Sequence, residues 1–390
     1  MDGHGRPRAV LARVAKIVPN VMKIGILTQP LCDNFGGILQ AYALQSVLEQ
    51  YGHQVILINR IYQPITIRGY LLRCFSVVKC ILLKYICRRS DLQIADPFYY
   101  VYNIHKHAAS NFIRGHINCS KPLGNDELLR AYVAKECFDA IIVGSDQVWR
   151  SEYSPSIKNY FLDFLSQDSH VKRVAYAASF GTHNNPIEKE YLVDCIKLAH
   201  SFDAISVREQ SSVGYMQKVF ELTPVCVLDP TLLLSADYYR ALYKIKRHQG
   251  EKYIACYILD SGEEKEKIQK AVAEALGFPI HYMAANGKEM ARYNVEEWLQ
   301  MIDSAEFVVT DSFHGCVFSI IFQKPFICIG NKERGMERFY SLLSQLSLEK
   351  RLVSFSHPIL PSSTIDWTRV NERLEYLRKN SRQFLAQSLG

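Results

Sequence analysis

KIGILTQPLCDNFGGILQAYALQSVLEQYGHQVILIN, residues 23–59, decides the fold class. KIGILT is an apolar run of strand length, and QPLCDNFGG is a polar loop containing two glycines. The next stretch, ILQAYALQSVLEQYG, reads as an amphipathic helix. Ile38, Tyr42, Val47 and Leu48 contribute to its packed side, and Gly52 closes it at the usual left-handed position. QVILIN follows as a second apolar strand. Strand, helix and strand in that order predict a parallel pair with a crossover helix, the unit from which layered α/β domains are built.

The alternation continues outward. Strands are expected at 138–143, 173–181, 204–209 and 225–234, with a helix over 188–200. A second half opens with KYIACYILD (252–260), then helix EEKEKIQKAVAEALG, strand PIHYMAA and helix VEEWLQMIDSA. The stretch VVTDSFHGCVFSIIFQKPFICIG (308–330) reads as strand, tight polar turn, helix and strand, and a last helix covers 366–389. The expected architecture is α/β: two Rossmann-like domains with parallel sheets and a cleft between them. The boundaries are a basic extension at 1–21, a first domain over 22–235 with a cationic helical insertion at about 61–130, a second over 236–365, and a C-terminal helix over 366–390.

Size and composition agree with this. The chain has 390 residues, too many for one ordinary core, and its 48% hydrophobic and 22% charged content excludes disordered and fibrous classes. Eleven scattered cysteines, with no CxxC pair, exclude a disulfide framework and a zinc site, and point to a reducing cytoplasm. No run of eighteen uncharged apolar residues exists to span a membrane. The net charge of +7 comes from residues 60–90, where seven basic residues stand without an acid; the rest of the chain carries 39 basic and 39 acidic residues. A nucleic-acid binder would show a broader basic face. On a helix over 67–89, Arg73, Lys84 and Arg88 fall near one face, with Leu71, Phe75, Val78 and Leu82 filling much of the rest. Such a segment suits peripheral contact with an anionic membrane; the alternative is a helix packed on the sheet with snorkelling basic side chains.

Ligands of open α/β sheets bind beyond the carboxyl ends of the strands, and four polar turns lie there. Asp33-Asn34-Phe35-Gly36-Gly37 offers close backbone approach before a helix N-terminus, but it is not a GxGxxG fingerprint. Gly144-Ser145-Asp146-Gln147-Val148-Trp149 brings a carboxylate, a hydroxyl, an amide and an aromatic ring together, a set suited to gripping a sugar; Trp149 reads equally well as a core residue. Arg208 at the end of 204–209 fits a carboxylate or phosphate fork, or a salt bridge to Glu209 or another acid. The turn Asp311-Ser312-Phe313-His314 aims a titratable ring and helix amides at one point, or is an ordinary turn with Ser312 as N-cap.

In order along the chain, DNFGGILQAYAL, VGSDQVW, SVRE, VLDPTLLL and VTDSFHGCVFSIIFQKPFI resemble the motifs of the polysaccharide pyruvyl transferase family. The resemblance runs from about residue 22 to about 346. It implies a GT-B-like architecture with the active site between two Rossmann-like domains. It also implies transfer of the enolpyruvyl unit of phosphoenolpyruvate to a sugar of a capsule, exopolysaccharide or lipid-linked precursor, with closure of a ketal and release of phosphate. Arg208 falls on the family's donor-binding arginine, and His314 on the histidine of a turn that often reads Ser-Arg-Leu-His-Gly. Here Ser312 stands where that arginine is frequent, so Arg334, Arg338 or Lys332 must meet part of the donor charge.

The implied donor site is Arg208, Ser312, Phe313, His314, Gly315, Arg334 and Arg338; the implied acceptor site is Asn34, Gly36, Gly37, Ser145, Asp146, Gln147 and Trp149. His314 is expected to act as general acid or as the phosphate's partner, and Asp146, with Asp33 second, to accept the sugar proton. The amides of Gly315 and Cys316 would help balance the donor's charge. Phosphoenolpyruvate is a co-substrate in this scheme; no cofactor, metal or nucleic acid enters it. The expected location is cytoplasmic, at or near the inner face of the membrane. The alternatives are a GT-B-type glycosyltransferase using a nucleotide-sugar and a non-catalytic glycan-binding relative.

Overall fold

A computed structural model describes residues 21–31, 34–63, 109–181, 185–243, 252–260, 262–284, 293–330, 336–353 and 364–390. The extension at 1–20, the cationic stretch 67–89, Asp33 and Arg334 lie outside the described residues.

The first half contains β1 (Lys23–Leu27), α1 (Phe35–Gln50), β2 (Gln54–Leu57), α2 (Ser110–His116), α3 (Asp126–Glu136), β3 (Ala140–Val143), β4 (Lys172–Ala178), α4 (Lys189–Ala199), β5 (Ala204–Val207), α5 (Gln210–Tyr215) and β6 (Val225–Cys226). The second contains α6 (Ala236–Arg240), β7 (Ile254–Ile258), α7 (Glu263–Leu276), β8 (Ile280–Ala284), α8 (Val295–Ser304), β9 (Phe307–Thr310), α9 (Phe313–Ile321), β10 (Phe326–Ile329), α10 (Glu337–Gln345), β11 (Leu352–Val353) and α11 (Trp367–Leu389). Six strands form one sheet in the order β2-β1-β3-β4-β5-β6, and five form another in the order β11-β10-β9-β7-β8. All the strand pairs within the two sheets are parallel. The expected α/β class with two parallel sheets is what the chain forms.

Two expectations change. Helix α1 is buried on nearly all sides from Phe35 to Leu48, polar Gln40, Gln45 and Ser46 included. It is a central helix rather than an amphipathic one, because elements of the second half cover its outer face: Phe35 meets Trp298 edge-on at 6.1 Å, and Tyr42 lies 6.1 Å from Tyr238. One apolar cluster therefore runs through both halves, joining Ile24, Leu44 and Phe35 to Trp298, Val317 and Phe318. The stretch 225–234 is a strand only at Val225–Cys226, after which Asp229 caps a 3-10 turn over Pro230–Leu233. Pro230 has no N–H for a ladder, and the Asp229 carboxylate takes the next one, Thr231 N, at 3.0 Å.

The last helix returns to the first half. Ser381 Oγ accepts from Leu228 N at 3.0 Å, Arg382 donates to Leu233 O at 2.7 Å, and Lys172 donates to Leu389 O at 2.8 Å. No helix among the described residues is long and apolar enough to cross a membrane.

Candidate functional site

Each sheet reverses its strand order once. In the first the reversal falls between β1 and β3, and in the second between β7 and β9. Loops leaving such neighbouring strands diverge to opposite faces and open a crevice at the strands' carboxyl ends. The turns after β1, β3, β5 and β6 from one sheet, and after β9 from the other, supply the side chains that meet there.

At the centre is Asp229. Its Oδ1 accepts from Thr231 N at 3.0 Å and from Thr231 Oγ1 at 2.6 Å, while Oδ2 accepts from Arg208 Nη1 at 2.8 Å and lies 3.6 Å from His314 Nε2. Arg208 also donates through Nη2 to Asp146 Oδ1 at 3.0 Å, and its Nε stands 3.7 Å from Glu209 Oε2. Its guanidinium lies over the Phe313 ring at 4.6 Å, and that of Arg338, from α10, lies over the same ring at 5.3 Å. Asp146, Arg208, Asp229, His314 and Arg338 are all buried, none more than 8% exposed. A cluster so rich in charge and so dry is costly to build for stability alone.

The charges hold one another. Burial opposes ionisation of Asp229, but His314, Arg208 and the Thr231 hydroxyl outweigh it and keep the carboxyl well below its usual range. Asp146 is likewise held low: burial pulls upward, and Arg208, then His314 and Arg338, prevail. Burial, followed by the like charge of Arg208, brings Arg338 down to about 10. Arg208 is pushed higher than an ordinary arginine, since its three acids overcome burial.

Local geometry explains how the turns reach this point. After β3, Gly144 at φ 116° and Asp146 at φ 70° make a tight turn. A side-chain carbon at Gly144 would fall 2.3 Å from Tyr176 O, so the chain passes β4 more closely than any other residue type allows. The turn is fastened to α1, where Gln40 accepts from Ser145 N at 3.0 Å and donates to Thr28 Oγ1 at 2.8 Å. After β9, Ser312 is the N-cap of α9, as expected, with its Oγ accepting from Gly315 N at 3.3 Å. Asp311 is spent on scaffolding, taking Leu259 N at 2.6 Å and Lys265 Nζ at 2.6 Å.

His314, Phe313, Arg208, Arg338, Asp146 and Ser145 thus converge. Ser145 donates to Ala177 O at 3.1 Å and reaches Asp229 Oδ2 at 3.5 Å. Gly36 packs on the His314 ring, where a side-chain carbon would stand 2.0 Å from Nδ1. Asn34 is exposed and caps α1 by accepting from Gly37 N at 3.2 Å.

Two expectations fail on geometry. Trp149 is fully buried, stacks on Phe161 at 5.1 Å and donates its indole N–H to Tyr160 O at 2.9 Å, so it is a core residue and no sugar platform. The amides of Gly315 and Cys316 are taken by Ser312 Oγ and Ser312 O, which leaves them nothing for a donor. Gln147 packs against Gly181 and accepts from Arg150 Nη1 at 3.5 Å. Sequence reasoning missed Asp229 altogether, because it took 225–234 as one strand. The signal was present: an aspartate directly before a proline, after an apolar run, is a capping signature.

Comparison with known proteins adds the following. The family model described as polysaccharide pyruvyl transferase matches residues 34–333. No curated protein matches the chain. Among solved structures, it is similar to a glycosyltransferase from Rickettsia africae ESF-5, at 8% identity and TM-score 0.48 over 95% of each chain. It is also similar to the UDP-GlcNAc 2-epimerase from Methanocaldococcus jannaschii, at 10% identity and TM-score 0.46 over 91% of this chain and 92% of that one.

Proposed function

The chain belongs to the polysaccharide pyruvyl transferase family, and from that premise we propose that it moves the enolpyruvyl unit of phosphoenolpyruvate onto a sugar. The acceptor is a polysaccharide or its lipid-linked precursor, and the product is a pyruvate ketal with phosphate released. One observation carries this reading. Arg208 from the first sheet and His314 and Arg338 from the second gather, with Phe313, around one dry point between the two halves.

In this scheme His314 gives a proton to the methylene carbon of phosphoenolpyruvate, leaving a cation at C2. A sugar hydroxyl adds its oxygen to C2 and loses its proton. A second hydroxyl displaces phosphate, which leaves carrying that hydroxyl's proton as hydrogen phosphate, and closes the ring. Asp146, kept ionised by Arg208, is a weak base, and a weak base suffices against so strong an electrophile. Arg208 and Arg338 balance the donor's charge, with Arg338 supplying what Ser312 lacks. Burial of the whole group supports a cycle in which the halves part to admit the donor and close to keep water from C2.

Thermal unfolding with ligands tests the donor. Phosphoenolpyruvate at saturating concentration should raise Tm, and UDP and GDP should not. A rise with a nucleotide alone would replace this reading with nucleotide-sugar chemistry. Phosphate release from phosphoenolpyruvate, measured across galactose-, mannose- and N-acetylhexosamine-containing acceptors, then identifies the sugar.

A further inference from the structure

We propose that Asp229 is a positioning residue for this reaction, a carboxylate of the first half that fixes the His314 ring of the second half while holding Arg208 in the same geometry. The inference rests on the pyruvyl-transfer reading for its catalytic meaning, but its geometry stands alone. Oδ1 is locked twice by Thr231, through the backbone N–H and the hydroxyl, so the carboxylate cannot rotate freely. The locked plane turns Oδ2 to Arg208 Nη1 at 2.8 Å and to His314 Nε2 at 3.6 Å.

His314 Nε2 is itself buried and makes no hydrogen bond, and this carboxylate oxygen is an acceptor close to it. On the other side of the ring, Gly36 of α1 leaves no room for a side-chain carbon. The imidazole is therefore pinned between a carboxylate ahead of the 3-10 turn and the first turn of α1. Two groups of the first half set the attitude of a group of the second. The choice of which ring nitrogen carries the proton follows from the partner that the other nitrogen meets. An acceptor facing Nε2 keeps the proton of the neutral ring there.

The test uses the full-length chain with 15N-labelled histidine. His314 ring signals are assigned by their loss in His314→Gln and recorded for wild type, Asp229→Asn and Thr231→Val. Wild type should show the proton on Nε2 in the neutral ring, and Asp229→Asn should move toward the mixture of an unconstrained imidazole. The kcat of Asp229→Asn for phosphate release should fall at least ~30-fold. Thr231→Val keeps the carboxylate and its backbone N–H anchor but removes the hydroxyl, loosening the plane, and should give an intermediate spectrum with a loss of about 3- to 10-fold. Should Asp229→Asn not fold, the Thr231→Val spectrum decides. A ring spectrum unchanged in the folded variants would overturn the proposal, as would lost turnover with an unchanged ring, since Asp229 would then act through Arg208 alone. A wild-type chain that releases no phosphate from phosphoenolpyruvate would sink the pyruvyl-transfer reading, while the ring spectra would still judge Asp229.

Discussion

Gly36 and His314 touch across the two halves of the molecule: a carbon added to Gly36 would stand 2.0 Å from the imidazole Nδ1. The contact joins the first turn of α1 to the first turn of α9, which is where a cleft between the halves would open and shut. It makes a glycine in one half a condition for the histidine's position in the other.

Gly36→Ala is therefore expected to disturb the site out of proportion to its size. The added methyl must displace either the ring or α1, an overpacking that costs on the order of 1–3 kcal/mol. Phosphate release should fall at least ~10-fold, while neighbouring Gly37→Ala, whose added carbon is nearest the exposed Asn34 side chain at 3.0 Å, should lose less. Equal activity in the two variants would show that the contact has no role in turnover.

His314→Ala and Arg208→Ala should each lose at least ~100-fold in phosphate release, the usual scale for one positioned catalytic group. Arg208→Ala should also lower Tm, because it leaves Asp146 and Asp229 buried without their cation. Near-normal turnover in both would remove these residues from the mechanism.

Arg338→Met separates function from stability. The guanidinium is buried beside the like charge of Arg208, which together bring it down to about 10. Methionine fills similar volume and removes that penalty together with the attraction of Asp146 and Glu209, so Tm should change little while KM for phosphoenolpyruvate increases at least ~10-fold. A lowered Tm with unchanged KM would make Arg338 a structural residue.

Acid should weaken the fold through Asp229 and Asp146. Both carboxyls are depressed in the folded chain, so the unfolded chain binds more protons in acid. Their contribution is complete above the ordinary value of 3.8, shrinks below it, and is gone once pH passes the folded values. Urea midpoints at pH 7, 4 and 3 should therefore fall more steeply for wild type than for Asp229→Asn. Parallel curves would mean that the carboxylate is not held as described.

Trp149 separates core from acceptor site. Trp149→Ala should destabilise by about 3–5 kcal/mol, whereas Trp149→Phe should keep most of the Phe161 stack and leave KM for the sugar acceptor within about 2-fold. A Phe variant that folds normally but loses acceptor affinity would return the ring to the sugar site.

The architecture was legible because it is written in local pattern. Apolar runs of strand length, the loop before Phe35 and the Ser312 cap each depend on neighbours within a few residues, and they yield the α/β class and the parallel sheets. The carboxyl ends of strands, read the same way, located the Asp146, Arg208 and His314 turns correctly. Local pattern also misled where burial decides. Trp149 looked like a platform because its turn is polar, yet its ring enters the core below that turn. Helix α1 looked amphipathic because of its polar residues, yet Gln40 and Gln45 are buried on partners of the first half, and the second half covers Phe35 and Tyr42.

By itself, then, the sequence determined the two sheets, the order of their turns and the residue types that those turns carry. Only the tertiary structure decided which of them are partners. Arg208 lies 62 residues from Asp146 and 21 from Asp229, and no periodicity links such positions. Asp229 becomes central only when a short 3-10 turn aims it between Arg208 and a histidine of the other sheet. Its charge is set by that company, because in a dry interior charges are little screened and an ionised group depends on the charged and hydrogen-bonding groups around it instead of on water.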